Sequence, residues 1–219
     1  MARPKAAPCK RPYSLGKRLE RSDQKRTRIL AVARAHLESN GFLNLTLDAL
    51  ARESGVTRQT LHNLFGTKAG LLEALFDQLA LAGGMDRMRV VMQTIDADAL
   101  LPAFVKVFTD FWSKDRLFIR RIHGIAAIDP ELGVAVEARN RRRQMAAARV
   151  VERLSRGKGA RTDTRADLKH DAANQVRQAA ALYALTSFEF FDALAQSVGT
   201  VQHAADLVLA LVKSQLATR

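Results

Sequence analysis

Residues 45–68, LTLDALARESGVTRQTLHNLFGTK, leave the backbone few paths. Thr46 precedes Leu47, Leu50 and Ala51, which share one face at helical spacing. Its hydroxyl can accept from the free amides of a first turn, and Asp48 lies where a helix dipole favours an acid. Ala51 is small enough to admit a second helix. Gly55 supplies the left-handed residue that often ends a helix, Val56 plugs the corner, and Thr57 caps a second helix to about Phe65. Two short helices around a Gly-bearing turn form a helix-turn-helix unit.

The second helix is two-sided. Thr57, Leu61, Leu64 and Phe65 fall on one stripe, with Gln59 and Asn63 opposite. Thr60 and His62 flank those two, and Arg58 is long enough to reach round. Arg, Gln and Asn can bond bidentately to base edges in a major groove. Such a face also suits plain exposure to water, so the flanking residues matter. Helix 1 ends in Asn40-Gly41-Phe42; then come Thr46, ALARESGVT at 49–57, Leu61, Phe65, and GTK at 66–68 before Leu71. This order and spacing resembles the DNA-binding domain of the tetracycline-repressor (TetR) family over roughly residues 24–75. Two positions depart from the family pattern: His62 stands where a phosphate-touching tyrosine is usual, and Leu64 where an aromatic is frequent.

Charge agrees with a polyanion partner. The net charge of the 219 residues is +13; residues 1–70 carry 14 Lys/Arg against 5 Asp/Glu, and the remainder 21 against 17. Basic charge alone would suit RNA or an acidic membrane equally; the helix-turn-helix selects duplex DNA. One cysteine, Cys9, permits no intrachain disulfide and fits a reducing cytoplasm. No uncharged run reaches the roughly 18 residues of a membrane span, and there is no apolar signal core.

Residues 1–21 hold three prolines and seven Lys/Arg without an apolar period, and read as a disordered basic arm. The arm is either a solvated tail or a second contact with DNA. The DNA-binding domain follows over 22–68. Its helix 1 starts at Ser22 or Asp23, with Ile29, Val32, Ala33, His36 and Leu37 inward. Thr67 caps helix 4. Lys68 in its first turn opposes the helix dipole, and a phosphate held there would answer it; the resemblance points the same way.

Residues 69–219 read as an all-α domain for effector binding and dimerisation. Helix 4 breaks at Gly83-Gly84 or runs on to about Gln93. Five more helices are expected, over about 98–113, 114–128, 130–155, 166–196 and 200–217, with a loop at 156–165. The arginines at 139 and 141–143 read as a solvated face. From Ala179 to Phe191 the only charge is Glu189, and the last helix presents Val201, Ala204, Ala205, Val208, Leu211 and Val212. Such apolar helices need cover on both sides. The resemblance implies that the last two helices form a four-helix homodimer interface, and TSFEFF at 186–191 is similar to what many members carry there.

No nucleophile elbow, phosphate loop or metal-ligand spacing appears, so no catalytic residue, cofactor or metal is expected. Phe108, Trp112, Phe118, His123, Tyr183 and Phe188 are the aromatics available to line an effector pocket, although aromatics at helical spacing also simply form cores. The reading is a dimeric regulator, most simply a repressor on a palindromic operator. Arg58, Gln59, Thr60, His62 and Asn63 would face bases, and Thr46, Thr57 and Lys68 phosphates. Two other readings are an architectural DNA-binding protein without an effector and an enzyme with an accessory DNA-binding domain. The first is marked by a steep salt slope with little sequence preference; the second lacks a catalytic constellation.

Overall fold

A computed structural model describes residues 15–39, 46–157 and 165–217. Among the described residues the chain is all-helical. The elements are α1 (Leu15–Ser39), α2 (Leu47–Glu53), α3 (Arg58–Phe65), α4 (Lys68–Ala82), α5 (Met88–Val91) and α6 (Ala97–Lys114). They continue with α7 (Arg116–Ala126), α8 (Pro130–Gly157), α9 (Arg165–Leu185), α10 (Phe188–Ser197) and α11 (Val201–Ala217). A single 3-10 turn, Met85–Arg87, follows the Gly83-Gly84 break after α4.

Two boundaries differ from expectation. α1 begins at Leu15, so residues 15–21 are helix and not arm. Leu, Lys, Arg and Glu are straight-chain helix formers, and an exposed helix end needs propensity more than a buried stripe. The rest of the arm, the Gly41 turn, Phe42 and Leu45 lie outside the described residues. The second difference is the helix expected over 166–196, which is two helices. Thr186 Oγ1 donates to the Leu182 carbonyl at 2.7 Å, ending α9. Ser187 Oγ then accepts from Phe190 N at 3.2 Å and caps α10. The Thr186 carbonyl at this break is satisfied by Trp112 Nε1, 3.0 Å away across the domain.

Apolar side chains gather in two clusters. The larger joins α6 and α8 to α9, α10 and α11, with Phe104, Val150, Val208 and Val212 each fully buried. Burying a Phe or Leu fully is worth about 1.5–3 kcal/mol, so this cluster is the main store of stability. The smaller cluster closes the DNA-binding helices, with Ile29, Leu37, Leu50 and Leu61 at its centre. It does not stop at residue 68: α4 supplies Leu71, Leu72, Ala74, Leu75 and Leu79, α7 supplies Phe118 and Ile122, and α8 supplies Leu132.

Polar links tie the two parts together. Arg34 of α1 pairs with Asp115, and its guanidinium lies 4.4 Å from the Phe118 ring centroid. Arg121 of α7 donates to the Glu38 carbonyl at the end of α1. Arg120 clamps Asp192 of α10 through two bonds of 2.8 Å.

Candidate nucleic-acid interface and inner cavity

The helix-turn-helix is built from local caps. Thr46 Oγ1 accepts from Ala49 N, Thr57 Oγ1 from Thr60 N, and Thr67 Oγ1 from Gly70 N, each at 3.1 Å. Gly55 takes φ 63° in the turn, where any Cβ would be strained. Val56 N returns to the Ala51 carbonyl at 2.9 Å and closes the corner. A Cβ at Gly70 would overlap the Phe65 carbonyl, so glycine there lets the end of α3 sit on the first turn of α4.

These contacts orient α3. Leu61 is buried and Leu64 and Phe65 half-buried, while Arg58, Gln59, His62 and Asn63 are exposed and Thr60 is half-buried. The outward side chains pair with each other: Gln59 Nε2 donates to Asn63 Oδ1 at 2.8 Å, and Arg58 reaches Asp48 at 3.1 Å. Pairs this exposed are worth only a few tenths of a kcal/mol to about 1 kcal/mol, so exchanging them for base edges costs little. Thr57 and Thr60 hydroxyls stand 2.9 Å apart. Arg21, Ser22 and Lys25 of α1 flank Thr60, Asn63 and Leu64 along a groove of ≈ 270 Å³. Sequence reasoning did not assign Arg21 and Lys25 to this face: Arg21 was placed in the arm, and Lys25 lay in the expected first helix, whose rotation toward α3 its own pattern does not give.

Lys68 is placed differently from the simplest expectation. Its Nζ lies 3.9 Å from Asp129 Oδ2 and 3.9 Å from Glu131 Oε2, both at the start of α8. The dipole opposition at α4 is therefore offset within the chain, and an anionic ligand is not needed to explain the lysine.

A cavity of ≈ 120 Å³ lies between α4, α6, α7 and α8. Phe108, Trp112 and His123 line it, as do Phe76, Leu79, Met85, Phe111, Ile119, Ile122, Val136, Arg139, Asn140 and Arg143. Phe118, Tyr183 and Phe188 do not. Phe118 packs instead into the DNA-binding core. Phe188 backs the wall, 5.5 Å from the Trp112 ring and 4.8 Å from the His123 ring between centroids. Tyr183 lies behind Arg143, whose guanidinium is 3.9 Å from its ring centroid.

The arginine run is a correction too. Arg141 and Arg142 are exposed, but Arg139 and Arg143 turn inward. The signal was available: positions 139 and 143, four apart, are in phase with the buried Leu132, Ala147 and Val150. Arg139 straps α8 to α4, donating to Glu73 Oε2 at 2.9 Å and Asp77 Oδ1 at 3.1 Å, with its guanidinium 4.4 Å from the Phe76 ring centroid. At the far wall His123 Nδ1 and Glu189 Oε1 are 2.7 Å apart. The hydrogen bond from His123 outweighs partial burial and holds the Glu189 carboxyl down at about 2, from an ordinary 4.5.

A capped helix-turn-helix with a polar outer face is joined here to a second helical domain that carries a cavity. Residues 29–75 match the family model described as bacterial regulatory proteins, tetR family, which supports a DNA-binding regulator. Solved structures share the fold over most of the chain. A TetR transcription regulator from Haloarcula marismortui ATCC 43049 aligns with TM-score 0.59 and 15% identity, over 89% of this chain and 97% of its own. SmeT in complex with triclosan aligns with TM-score 0.63 and 18% identity, over 87% and 90%. A Saccharomonospora viridis protein described as a transcriptional regulator, in complex with choline, aligns with TM-score 0.57 and 21% identity, over 87% and 96%. No curated protein matches the chain. Among the described residues no helix is long and apolar enough to cross a membrane.

Proposed function

We propose that the chain is a ligand-responsive repressor that binds a palindromic operator as a homodimer. The observation that carries this reading is the double use of α4 and α7. Phe76, Leu79 and Ala80 of α4 and Ile119, Ile122 and His123 of α7 line the cavity. Leu71, Leu72 and Leu75 of the same α4, and Phe118 and Ile122 of the same α7, complete the core beneath the recognition helix. A molecule in the cavity presses on the elements that set the pose of α3. Small molecules held by two of the structural neighbours, triclosan and choline, support an effector here.

On DNA, Arg58, Gln59, Thr60, His62 and Asn63 read or approach bases. Thr46 and Thr57 hold phosphates, and so does Lys68 once it exchanges Asp129 and Glu131 for the backbone. Arg21 and Lys25 add charge beside them. The dimer uses the faces of α9, α10 and α11 left uncovered. Ala173, Val176, Ala180 and Ala184 of α9 are exposed, and Leu207 and Leu211 of α11 are each 39% exposed. Ala204, Val208 and Val212 belong instead to the subunit's own core, with Ala205 packed against it, so the seam is rotated toward Leu207 and Leu211. A closed two-fold pair presents two recognition helices to two half-sites. Selection of binding sites from a random DNA pool tests the reading. An inverted repeat with half-site centres one or more turns apart is expected; a single half-site or no enriched sequence overturns it.

A further inference from the structure

We infer that the cavity is built for a small apolar molecule bearing one carboxylate, seated on the guanidinium of Arg143. This deepens, and rests on, the reading of the cavity as an effector site. Arg143 lines the cavity and is only 6% exposed. Charged side chains are almost never buried so far without a partner. Yet among the described residues no carboxylate forms an ion pair with it. Arg139 differs, since Glu73 and Asp77 satisfy it. Glu189 attracts Arg143 without forming an ion pair with it, and its Oε1 is engaged by His123 at 2.7 Å.

The donors of Arg143 show where the missing anion belongs. Nη1 donates to the Tyr183 carbonyl. Nη2 makes one long bond of 3.4 Å to Asn140 Oδ1, and Nε is buried with no acceptor. Nη2 is therefore an underused donor of the fork, and a carboxylate oxygen brought to it would make a charge-assisted hydrogen bond. Burial lowers the affinity of this guanidinium for its proton and outweighs the opposing pull of Tyr183 and Glu189. The remaining wall, including Phe108, Phe111 and Trp112, offers aromatic and aliphatic surface to the rest of the molecule. Size limits it further. The volume of ≈ 120 Å³ is below that of a cavity of about 150 Å³ known to hold benzene, so the site takes no more than a single ring or a short branched chain.

The test uses the full chain, with calorimetric titration at pH 7.5 by benzoate, phenylacetate, the two corresponding neutral amides, and benzylamine. The acids are expected to bind about 10- to 100-fold more tightly than the amides, the factor of one charge-assisted bond, and benzylamine most weakly. Arg143→Met, which preserves volume and removes the charge, should erase that preference while leaving the amides' affinity within about threefold. The acid-to-amide ratio in the unaltered protein needs no variant, so a folding failure of Arg143→Met leaves the test intact. Amides that bind as tightly as acids, or a preference that survives Arg143→Met, overturn the carboxylate and leave the effector site standing. If no acid, amide or amine binds, the carboxylate inference falls, while the effector reading rests on its own DNA test.

Discussion

Gly70→Ala isolates the contact that seats the recognition helix. The added methyl would overlap the Phe65 carbonyl oxygen and stand 3.2 Å from its carbon and 3.8 Å from Thr67 Oγ1. The obstacle is backbone, so no rotamer change relieves it, and α3 must lift from α4. Overpacking against a rigid neighbour costs about 3 kcal/mol at the upper end of its range. Alanine in place of glycine returns about 1 kcal/mol of helix propensity. The net loss is about 2 kcal/mol, which for a chain of this size lowers Tm by about 4–8 °C. Gly124→Ala in α7 is the control: nothing lies within 4 Å of its new methyl, so only the propensity gain of up to about 1 kcal/mol remains and Tm rises. Thermal unfolding by circular dichroism reads both, and fluorescence anisotropy on a selected DNA site reads the pose of α3. Gly70→Ala should also weaken DNA binding by more than its stability loss explains at 25 °C. A Gly70→Ala protein that melts at or above the parent, or that binds DNA unchanged, would show that α3 does not rest on α4 in this way.

Four further predictions concern other links. Gln59→Ala and Asn63→Ala should each cost about 1–3 kcal/mol on the selected site and almost nothing on random DNA; equal losses on both would remove these residues from base readout. Lys68→Ala should make the slope of log K against log salt shallower by about one unit, whereas Glu131→Gln should tighten binding up to about fivefold. At 3.9 Å in water the Glu131 attraction is about 1 kcal/mol that the phosphate must displace; weaker DNA binding by Glu131→Gln would contradict this competition. Leu211→Glu should yield monomers in sedimentation at micromolar concentration, because a two-fold seam buries the unpaired carboxylate twice; a persistent dimer places the seam elsewhere. Glu189, with its folded pKa depressed to about 2, contributes stability above pH 4.5 that is lost as pH falls toward 2. The Tm gap between the parent and Glu189→Gln should accordingly hold above pH 5 and close in that window; a gap independent of pH would discount the His123 contact.

The parts legible in the sequence are those fixed by neighbours within one helical turn. Thr46, Thr57 and Thr67 each cap the residue three places on, and Gly55 marks its own turn. The polar face of α3 follows from the same local period. The cavity depends instead on the rotation of helices that meet from far apart in the chain. One position along α7 decides whether a side chain enters the DNA-binding core, as Phe118 does, or lines the cavity without joining that core, as Ile119 does. A run of arginines looks uniformly solvated when its members are taken together, but Arg143 shares the phase of Leu132, Ala147 and Val150 and goes inward while Arg142 stays outside. The α9–α10 break was hidden because Thr186 and Ser187 sit in an apolar run that continues on both sides. Only Trp112, 74 positions earlier in the chain, takes up the carbonyl released there.

The shared wall has a consequence for how such a chain acquires a new ligand. Substitutions at Phe76, Leu79 or Ile122 reshape the cavity and the footing of the recognition helix together. Each would alter operator occupancy before any new molecule was bound. Phe108 on α6 and Asn140 on α8 line the same space without belonging to the core beneath the recognition helix. Diversification of ligand preference is therefore channelled onto such positions, and a library confined to those two should retain DNA binding in far more of its members than one drawn from Phe76, Leu79 and Ile122.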